Sequence, residues 1–310
     1  MTVQRIETAV TRPADADLDL LLMTRHFELT LLRLFESGLI GGTTHTCLGQ
    51  EHVPVALRPL IDDADHVFSN HRGHGHYLAR FGDPHSLLAE IMGREGAVCH
   101  GIGGSQHLRR DRFLSTGVQG QNVPVAAGAA LALKRREPGQ LALVHIGDGS
   151  WGEGAIYEAL NMASLWRLPL VLVVENNGIA QSTPTAEHLA GSITGRAHAF
   201  GIDHISVRGT DVTAIRKRLR QPMMRVRTHP RPLVIEFETI RLGPHSKGDD
   251  TRDAAVLRAL KEQDWYARYE RAYPEQFAAA DRRQRDLAER CAREVTARPL
   301  VRRNEGENPR

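Results

Sequence analysis

Two short apolar runs constrain the fold more than any other feature of this chain. They are Leu141–Ile146 and Leu170–Val174, and each ends on a polar turn, Gly147-Asp148-Gly149 and Asn176-Asn177-Gly178. Between them, Ala155 to Trp166 places Ile156, Leu160, Ala163 and Leu165 on one helical face, and Pro169 stops it. Runs of this length that are continuously apolar read as strands buried on both faces. A strand, a helix and a second strand in this span form a crossover unit, which implies parallel pairing. A third strand, Leu233 to Phe237, follows a helix near Val212 to Leu219. The expected fold class is therefore α/β, with a central, mainly parallel sheet and helices on both faces.

The rest of the chain arranges itself around that unit. Leu20, Met23, Phe27, Leu31, Leu34 and Phe35 recur at helical spacing, predicting a helix from Leu18 to Glu36 that Gly38, Gly41 and Gly42 end. A second helix is expected from Gln50 towards Leu57, closed by Pro59. A third opens at Asp83-Pro84, with Asp83 as its cap, and runs to Met92. Val123 to Leu133 is rich in Ala and Gly and reads as a close-packed helix, and Thr251 to Val295 reads as mostly helical. We expect a flexible arm over residues 1–16, one α/β domain over 17–255, a helical C-terminal segment of that domain over 256–301, and a disordered tail over 302–310.

Composition removes several classes of function. No apolar run is long enough to span a membrane, and the N-terminus lacks the apolar core of a secretory signal. Cys47, Cys99 and Cys291 show neither metal-site nor disulfide-framework spacing, which points to a reducing cytoplasm. Arginines crowd the C-terminal helix, but acidic residues are interspersed, net charge is only +3 and aromatics are 5%. That pattern is a solvated or subunit-facing helix rather than a nucleic-acid surface.

In open parallel sheets, ligands bind at the carboxyl ends of the strands. Asp148 stands at one strand end, and Asn176 and Asn177 at the next. A carboxylate beside neutral oxygens suits Mg²⁺. Gly149 and Ser150 lead into the following helix, whose N-terminus offers N–H groups to an anion such as a diphosphate. Upstream, Asn70-His71-Arg72-Gly73-His74-Gly75-His76 admits two readings. Zinc is one, but cysteine partners and a tetrahedral set are missing. Anion binding is the better one, because Arg72 offers a fixed guanidinium fork and the glycines allow close backbone approach.

The Gly147-Asp148-Gly149 turn, the helix and strand after it, and Glu175-Asn176-Asn177 resemble the thiamine diphosphate motif. The intervening Glu158 to Pro169 is similar to the α subunits of 2-oxo acid dehydrogenase first components, the pyruvate, branched-chain and acetoin types. The resemblance runs from roughly Leu39 to Arg252, and the His-Arg-Gly-His-Gly-His segment is closest to acetoin-type subunits. It implies thiamine diphosphate and Mg²⁺ as cofactors. Asp148, Asn177 and the Ile179 carbonyl would hold the metal. Gly149, Ser150, Arg72 and His71 would meet the diphosphate, and the backbone at Gly117 and Gln119 the aminopyrimidine. Gln119 departs from the small apolar residue usual there, which makes the pocket more polar.

Three histidines take catalytic roles by the same resemblance. His45 matches a substrate-facing histidine, His74 would line the active-site channel, and His245 matches an active-site loop histidine that also meets the cofactor. Ser246 matches a regulatory phosphorylation site of mitochondrial pyruvate enzymes. No segment resembles the cofactor's pyrimidine-binding half. The resemblance thus implies a separate β subunit carrying the activating glutamate, in an α₂β₂ heterotetramer. The expected reaction decarboxylates or cleaves a small 2-oxo acid or acyloin and passes an acyl unit to an acceptor such as a lipoyl-bearing component. Two alternatives stand beside it. One is a two-component enzyme moving a two-carbon unit from a 2-oxo acid or ketose phosphate to a carrier protein. The other is a non-catalytic binding protein on the same fold.

Overall fold

The computed structural model describes residues 10–246 and 250–302. Its helices are α1 (Asp15–Glu36), α2 (His52–Leu57), α3 (His74–Phe81), α4 (Pro84–Met92), α5 (Asn122–Arg136), α6 (Gly154–Leu165), α7 (Thr185–His188), α8 (Ile193–Ala199), α9 (Val212–Thr228), α10 (Ala254–Glu262), α11 (Trp265–Ala272) and α12 (Pro274–Thr296). Its strands are β1 (His66–Ser69), β2 (Arg109–Arg110), β3 (Phe113–Ser115), β4 (Ala142–Gly147), β5 (Leu170–Asn176), β6 (Ile179–Ala180), β7 (Thr183–Pro184), β8 (Asp203–Val207) and β9 (Leu233–Glu238). Seven strands form one sheet in the order β2-β3-β1-β4-β5-β9-β8. Every pair in it is parallel except β2 with β3.

The continuous apolar character of β4 and β5 has the expected cause. Leu143, Val171 and Val173 face a core shared with α1, α3, α4, α9 and α12. Ala142, Val144, Leu170, Leu172 and Val174 face a second core shared with α5, α6 and α8. Both sheet faces are thus covered, as the α/β reading requires. The Ala-rich α5 packs against α6 and over β4, where small side chains let backbones come close.

Several local expectations are met by identifiable contacts. The Asp83 side chain accepts from Ser86 N at 3.1 Å, with Pro84 in the first turn of α4. After α1, Gly38 takes φ +71° and donates to Phe35 O at 3.0 Å, closing the helix. Other expectations change. The second helix starts at His52 and continues as a 3₁₀ turn over Arg58–Leu60, so Pro59 sits inside that turn rather than after it. α9 runs on to Thr228, past Pro222. Strands β1 and β8 were not anticipated. The expected arm over 1–16 falls partly outside the described residues, as does the tail over 302–310. From Val10 onward the arm is docked: Val10 is buried, its carbonyl accepts from Tyr273 Oη at 2.8 Å, and Thr11 N donates to Asp211 at 2.7 Å. Among the described residues, no helix is long and apolar enough to cross a membrane.

A buried ionic cluster ties the C-terminal helices to the front of the domain. Arg25 of α1 bonds Glu51 at 2.6 Å and clasps Asp264 through two bonds of 2.7 and 2.9 Å. Glu51 also accepts from Trp265 Nε1 and Gly49 N, each at 2.8 Å. The network joins α1, the entry to α2 and the start of α11, and it fixes the segment that carries His45 and Gln50. Removing Arg25 leaves two buried carboxylates without their cation. Arg25→Met is therefore expected to lose about 3–5 kcal/mol in a urea unfolding titration. A loss below about 1 kcal/mol would show that the cluster does not hold these elements together.

His52 is buried against Phe237 with neither ring nitrogen bonded, and burial pushes its pKa down to about 4. The unfolded chain takes up that proton near pH 6.5, while the folded chain resists it until about 4. The stability conferred by a neutral His52 is thus present above pH 6.5 and lost as pH falls towards 4. Between pH 7 and 5 the loss is about 2 kcal/mol. Urea titrations at the two pH values should show His52→Leu losing less stability than the unsubstituted chain by about that amount.

Candidate active site

The carboxyl ends of β1, β4 and β5 converge on one cleft of about 330 Å³. Parallel pairing does the positioning. Gly147 stands opposite Glu175 in the β4–β5 register, so the residues that follow each strand emerge side by side. The Asp148 carboxylate is buried. One oxygen accepts from Asn177 N at 3.3 Å, and the other accepts from the Thr185 hydroxyl. The Asn177 side chain donates to Gln50 Oε1 at 3.0 Å and accepts from Ile179 N at 3.2 Å. Asp148, Asn177 and Ile179 all line the cleft. A carboxylate, a carboxamide oxygen and a backbone carbonyl make an all-oxygen set that suits Mg²⁺ and disfavours softer ions.

The turn after β4 differs from the sequence expectation. Asp148–Gly152 forms a turn of 3₁₀ helix, and α6 begins only at Gly154. Gly149 and Ser150, which line the cleft, therefore belong to this turn and not to the first turn of α6. Gly149 has a second role. A Cβ there would lie 2.6 Å from Ala180 Cβ, so only glycine lets the β6–β7 hairpin close over the turn.

Opposite this edge, β1 delivers Asn70, His71 and Arg72. The Arg72 guanidinium is buried, donating to Thr46 O at 2.7 Å and to His245 Nδ1 at 3.2 Å. Arginine has no acceptor atom, so His245 Nδ1 is the acceptor and its proton resides on Nε2. Burial, then the neighbouring Arg241 charge, hold Arg72 down at about 10. A buried guanidinium on the cleft wall can pair with an anion bound there. His71 lies beside Arg72 with Nδ1 buried and unbonded, an orphan facing the same space. Burial first, then the charges of Arg72, His45 and His245, hold its pKa well below the usual histidine value, so it is neutral near pH 7.

His45, His71 and His245 form a ring cluster. His45 meets each of the other two edge to face at 4.7 Å, and Gln106 bonds His45 Nδ1 at 3.2 Å. Gly117 and Gln119 complete this wall, Gln119 Nε2 donating to Gly117 O at 3.0 Å. A Cβ at Gly117 would meet the Gln106 amide oxygen at 2.0 Å, so a side chain there must displace Gln106, which bonds His45.

Eleven of the twelve site residues expected from the sequence line the cleft, and His74 does not. Helix α3 starts at His74, so the three clustered histidines diverge in direction. His71 reaches the cleft. His74 turns into the interior, 3.1 Å from both Glu28 oxygens and 2.8 Å from Ser105 Oγ. His76 lies 3.1 Å from Glu175 and 2.7 Å from Ser69 Oγ. Burial pushes the Glu28 carboxyl up, but His74 and the Cys47 N–H outweigh it and hold it below the usual carboxylate range. The three histidines therefore do not share a zinc ion. His74 supports the cleft from behind, bonded to the residue before Gln106. The same loop is anchored by Glu90, which accepts from the N–H groups of Cys99, Gly101, Gly103 and Gly104 at 2.6–3.2 Å.

The structure adds residues that sequence reasoning did not single out. Gln50, Asn70, Gln106, Glu175, Ala180 and Gln181 all face the cleft. Gln50 and Asn70 lie inside motifs already quoted, and adjacency could have found them. Gln106 and Gln181 carry no sequence signal.

Comparison with known proteins agrees with this arrangement. The family described as dehydrogenase E1 component matches residues 20–298. The chain is 34% identical over 276 residues to the α subunit of acetoin:2,6-dichlorophenolindophenol oxidoreductase from Cupriavidus necator, covering 85% of this chain and 81% of the relative. It is 38% identical over 237 residues to the pyruvate dehydrogenase E1 component α subunit of Zymomonas mobilis, covering 75% and 67%. The acetoin:2,6-dichlorophenolindophenol oxidoreductase α subunit of Bacillus subtilis is 34% identical over 252 residues, covering 79% and 75%. With nearly its whole length matched and its strand-end carboxylate, carboxamide and buried arginine gathered in one cleft, the chain belongs to the dehydrogenase E1 component family.

Proposed function

We propose that this chain is the α subunit of a thiamine-diphosphate-dependent dehydrogenase first component, acting with a β subunit on a small 2-oxo acid or acyloin. The carrying observation is the register of β4 and β5, which sets Asp148 and Asn177 side by side across from the buried Arg72. In this reading Asp148, Asn177 and the Ile179 carbonyl hold Mg²⁺. Arg72, His71 and the N–H groups of Gly149 and Ser150 hold the diphosphate, and the backbone at Gly117 and Gln119 meets the aminopyrimidine. Bound thiamine diphosphate supplies the carbon nucleophile and the electron sink for breaking the bond next to a carbonyl.

The residues of this chain hold and move protons around it. His45 and His245 present imidazoles to the substrate oxygen, where they donate a proton or stabilise developing negative charge. His74 works as a positioning residue, through Ser105 and its neighbour Gln106. Glu175, which lines the cleft, is engaged by His76 at 3.1 Å and Asn70 at 3.3 Å. In this reading, as the family resemblance implies, the glutamate that activates the cofactor comes from the β subunit, in an α₂β₂ assembly with sites between α and β. A lipoyl-bearing component is the proposed acceptor. Three free cysteines, two of them buried, support a cytoplasmic location.

One observation favours a second reading. Apart from Ile179 and Ala180, the cleft is walled by polar side chains and glycines. Such a wall suits a hydroxylated donor better than an alkyl one. The second reading is transfer of a two-carbon unit from a 2-oxo acid or ketose phosphate to a carrier protein.

Two tests follow. The chain is co-purified with its β subunit, supplied with thiamine diphosphate and Mg²⁺, and assayed by ferricyanide reduction against pyruvate, branched-chain 2-oxo acids, acetoin and ketose phosphates. Activity should require β and fall at least about 100-fold in Asp148→Ala. Turnover of ketose phosphate alone would select the second reading, and inactivity with every donor would overturn both. Separately, Gly149→Ala pushes the β6–β7 hairpin, and with it the Ile179 carbonyl, away from Asp148. Titrating Mg²⁺ into the cofactor-loaded complex should show at least about tenfold weaker affinity for this variant. Unchanged affinity would remove Ile179 from the metal set.

A further inference from the structure

From Glu175 in the cleft wall, a second cluster of polar side chains that the reaction does not use extends behind the cleft. His145 sits within β4, Glu175 near the end of β5 and His76 in the first turn of α3, and all three are buried. In the β4–β5 register His145 pairs with Val173 and Gly147 with Glu175. His145 and Glu175 thus project from the same sheet face as Val173, the one that carries α1 and α3. His76 Nε2 is 3.1 Å from Glu175 Oε1, and the His145 ring lies on the His76 ring at 3.6 Å. His145 Nδ1 is buried with no hydrogen-bond partner. An otherwise apolar strand gains nothing from an orphaned imidazole nitrogen, which packing alone would replace by Val or Leu.

We propose that His76, His145 and Glu175 form a binding site for one divalent transition-metal ion, separate from the Asp148–Asn177 pair. One donor atom from each residue lies within 4.8 Å of the other two. Ligands held at the usual 2.0–2.2 Å from zinc stand about 3.3 Å apart. His76 and Glu175 already have that spacing, and His145 must swing out of its stack on His76 to aim a ring nitrogen at the same point. Two imidazoles with one carboxylate select Zn²⁺ or Fe²⁺ over Mg²⁺ or Ca²⁺. The outer contacts are those of a supported site. Ser69 Oγ orients His76 through Nδ1 at 2.7 Å, and Asn70 Nδ2 donates to the second Glu175 oxygen at 3.3 Å. An entry path exists as well: a cavity of about 220 Å³ is lined by His76 and His145 and also by Asp63, whose side chain is fully exposed. It leaves room for water in the open coordination position. Burial, then the His76 charge, hold the His145 pKa well below the usual histidine value, which keeps the ring in its ligand form near pH 7.

The cleft histidines are the competing set. His45, His71 and His245 also bring donor atoms within 4.8 Å of one another. The Arg72 guanidinium, however, lies 3.2 Å from His245 Nδ1, and its fixed positive charge opposes a cation there. An ion at His76, His145 and Glu175 would pin α3 to the ends of β4 and β5. It would also fix Glu175, two residues before Asn177, and so stiffen the cleft wall from behind.

The test needs no cofactor and so stands apart from the dehydrogenase reading. The purified full-length chain is stripped with a chelator, equilibrated with Zn²⁺ and analysed for metal by plasma mass spectrometry. Co²⁺ is then substituted and its visible spectrum recorded. One Zn²⁺ per chain and the d–d bands of a four- or five-coordinate Co²⁺ site are expected. His145→Phe keeps a flat ring on His76 but has no nitrogen. Its fold is checked by circular dichroism, and its zinc affinity should fall at least about 100-fold. Glu175→Gln, a second variant with little change in shape, should weaken zinc in the same direction, and His245→Ala should leave it unchanged. No stoichiometric uptake, uptake unchanged in folded His145→Phe or Glu175→Gln, or uptake lost in His245→Ala would each overturn the proposal.

Discussion

The parallel pairing of β4 with β5 is the constraint on which the rest of this molecule depends. Six residue pairs, from Ala142 with Leu170 to Gly147 with Glu175, lock the two strands in one register. A slip of one residue would turn each apolar set to the wrong face. It would also separate Asp148 from Asn177, so the pairing that makes the core also makes the site. β1 joins the other side of β4 and delivers Asn70, His71 and Arg72 to the same edge. Three neighbouring strand ends thus bring a carboxylate and a guanidinium into one cleft.

That cleft concentrates groups that folding alone would not bury. The Arg72 guanidinium is buried on its wall, and His71 carries an unbonded buried nitrogen. Each costs stability in the free chain. In the proposed reading, a bound diphosphate and its metal offset that cost. The scaffold around it is correspondingly well satisfied. Glu51 and Glu90 each accept several N–H bonds, and between them they fix the segments that carry His45, Gln50 and Gln106.

Much of this was legible in the sequence, for physical reasons. β4, α6, β5 and β9 announce themselves because strands buried on both faces read as continuous apolar runs. The turns after β4 and β5 were legible because glycine and asparagine mark strand ends. β1 was missed because it has only four residues, His66–Ser69, with a histidine at its start. β8 was missed because only its last residue, Val207, is buried. α9 looked shorter because arginines and Pro222 interrupt its apolar face, although Met223 and Val226 continue it inward. The histidine motif misled differently. Spacing alone grouped His71, His74 and His76, but the start of α3 at His74 sends them to three separate environments. His145 could have been found, since an imidazole inside a buried strand asks for a partner. That the partners are His76 and Glu175 depends on tertiary contacts that no local pattern encodes.

The central claim is that this chain holds the diphosphate end of thiamine diphosphate through a metal. Calorimetric titration of thiamine diphosphate into the reassembled α–β protein, once with Mg²⁺ and once with EDTA, tests it most directly. The account predicts saturable binding of one cofactor per α chain with Mg²⁺ and its loss in EDTA. Binding that is indifferent to EDTA, or no binding under either condition, would contradict it.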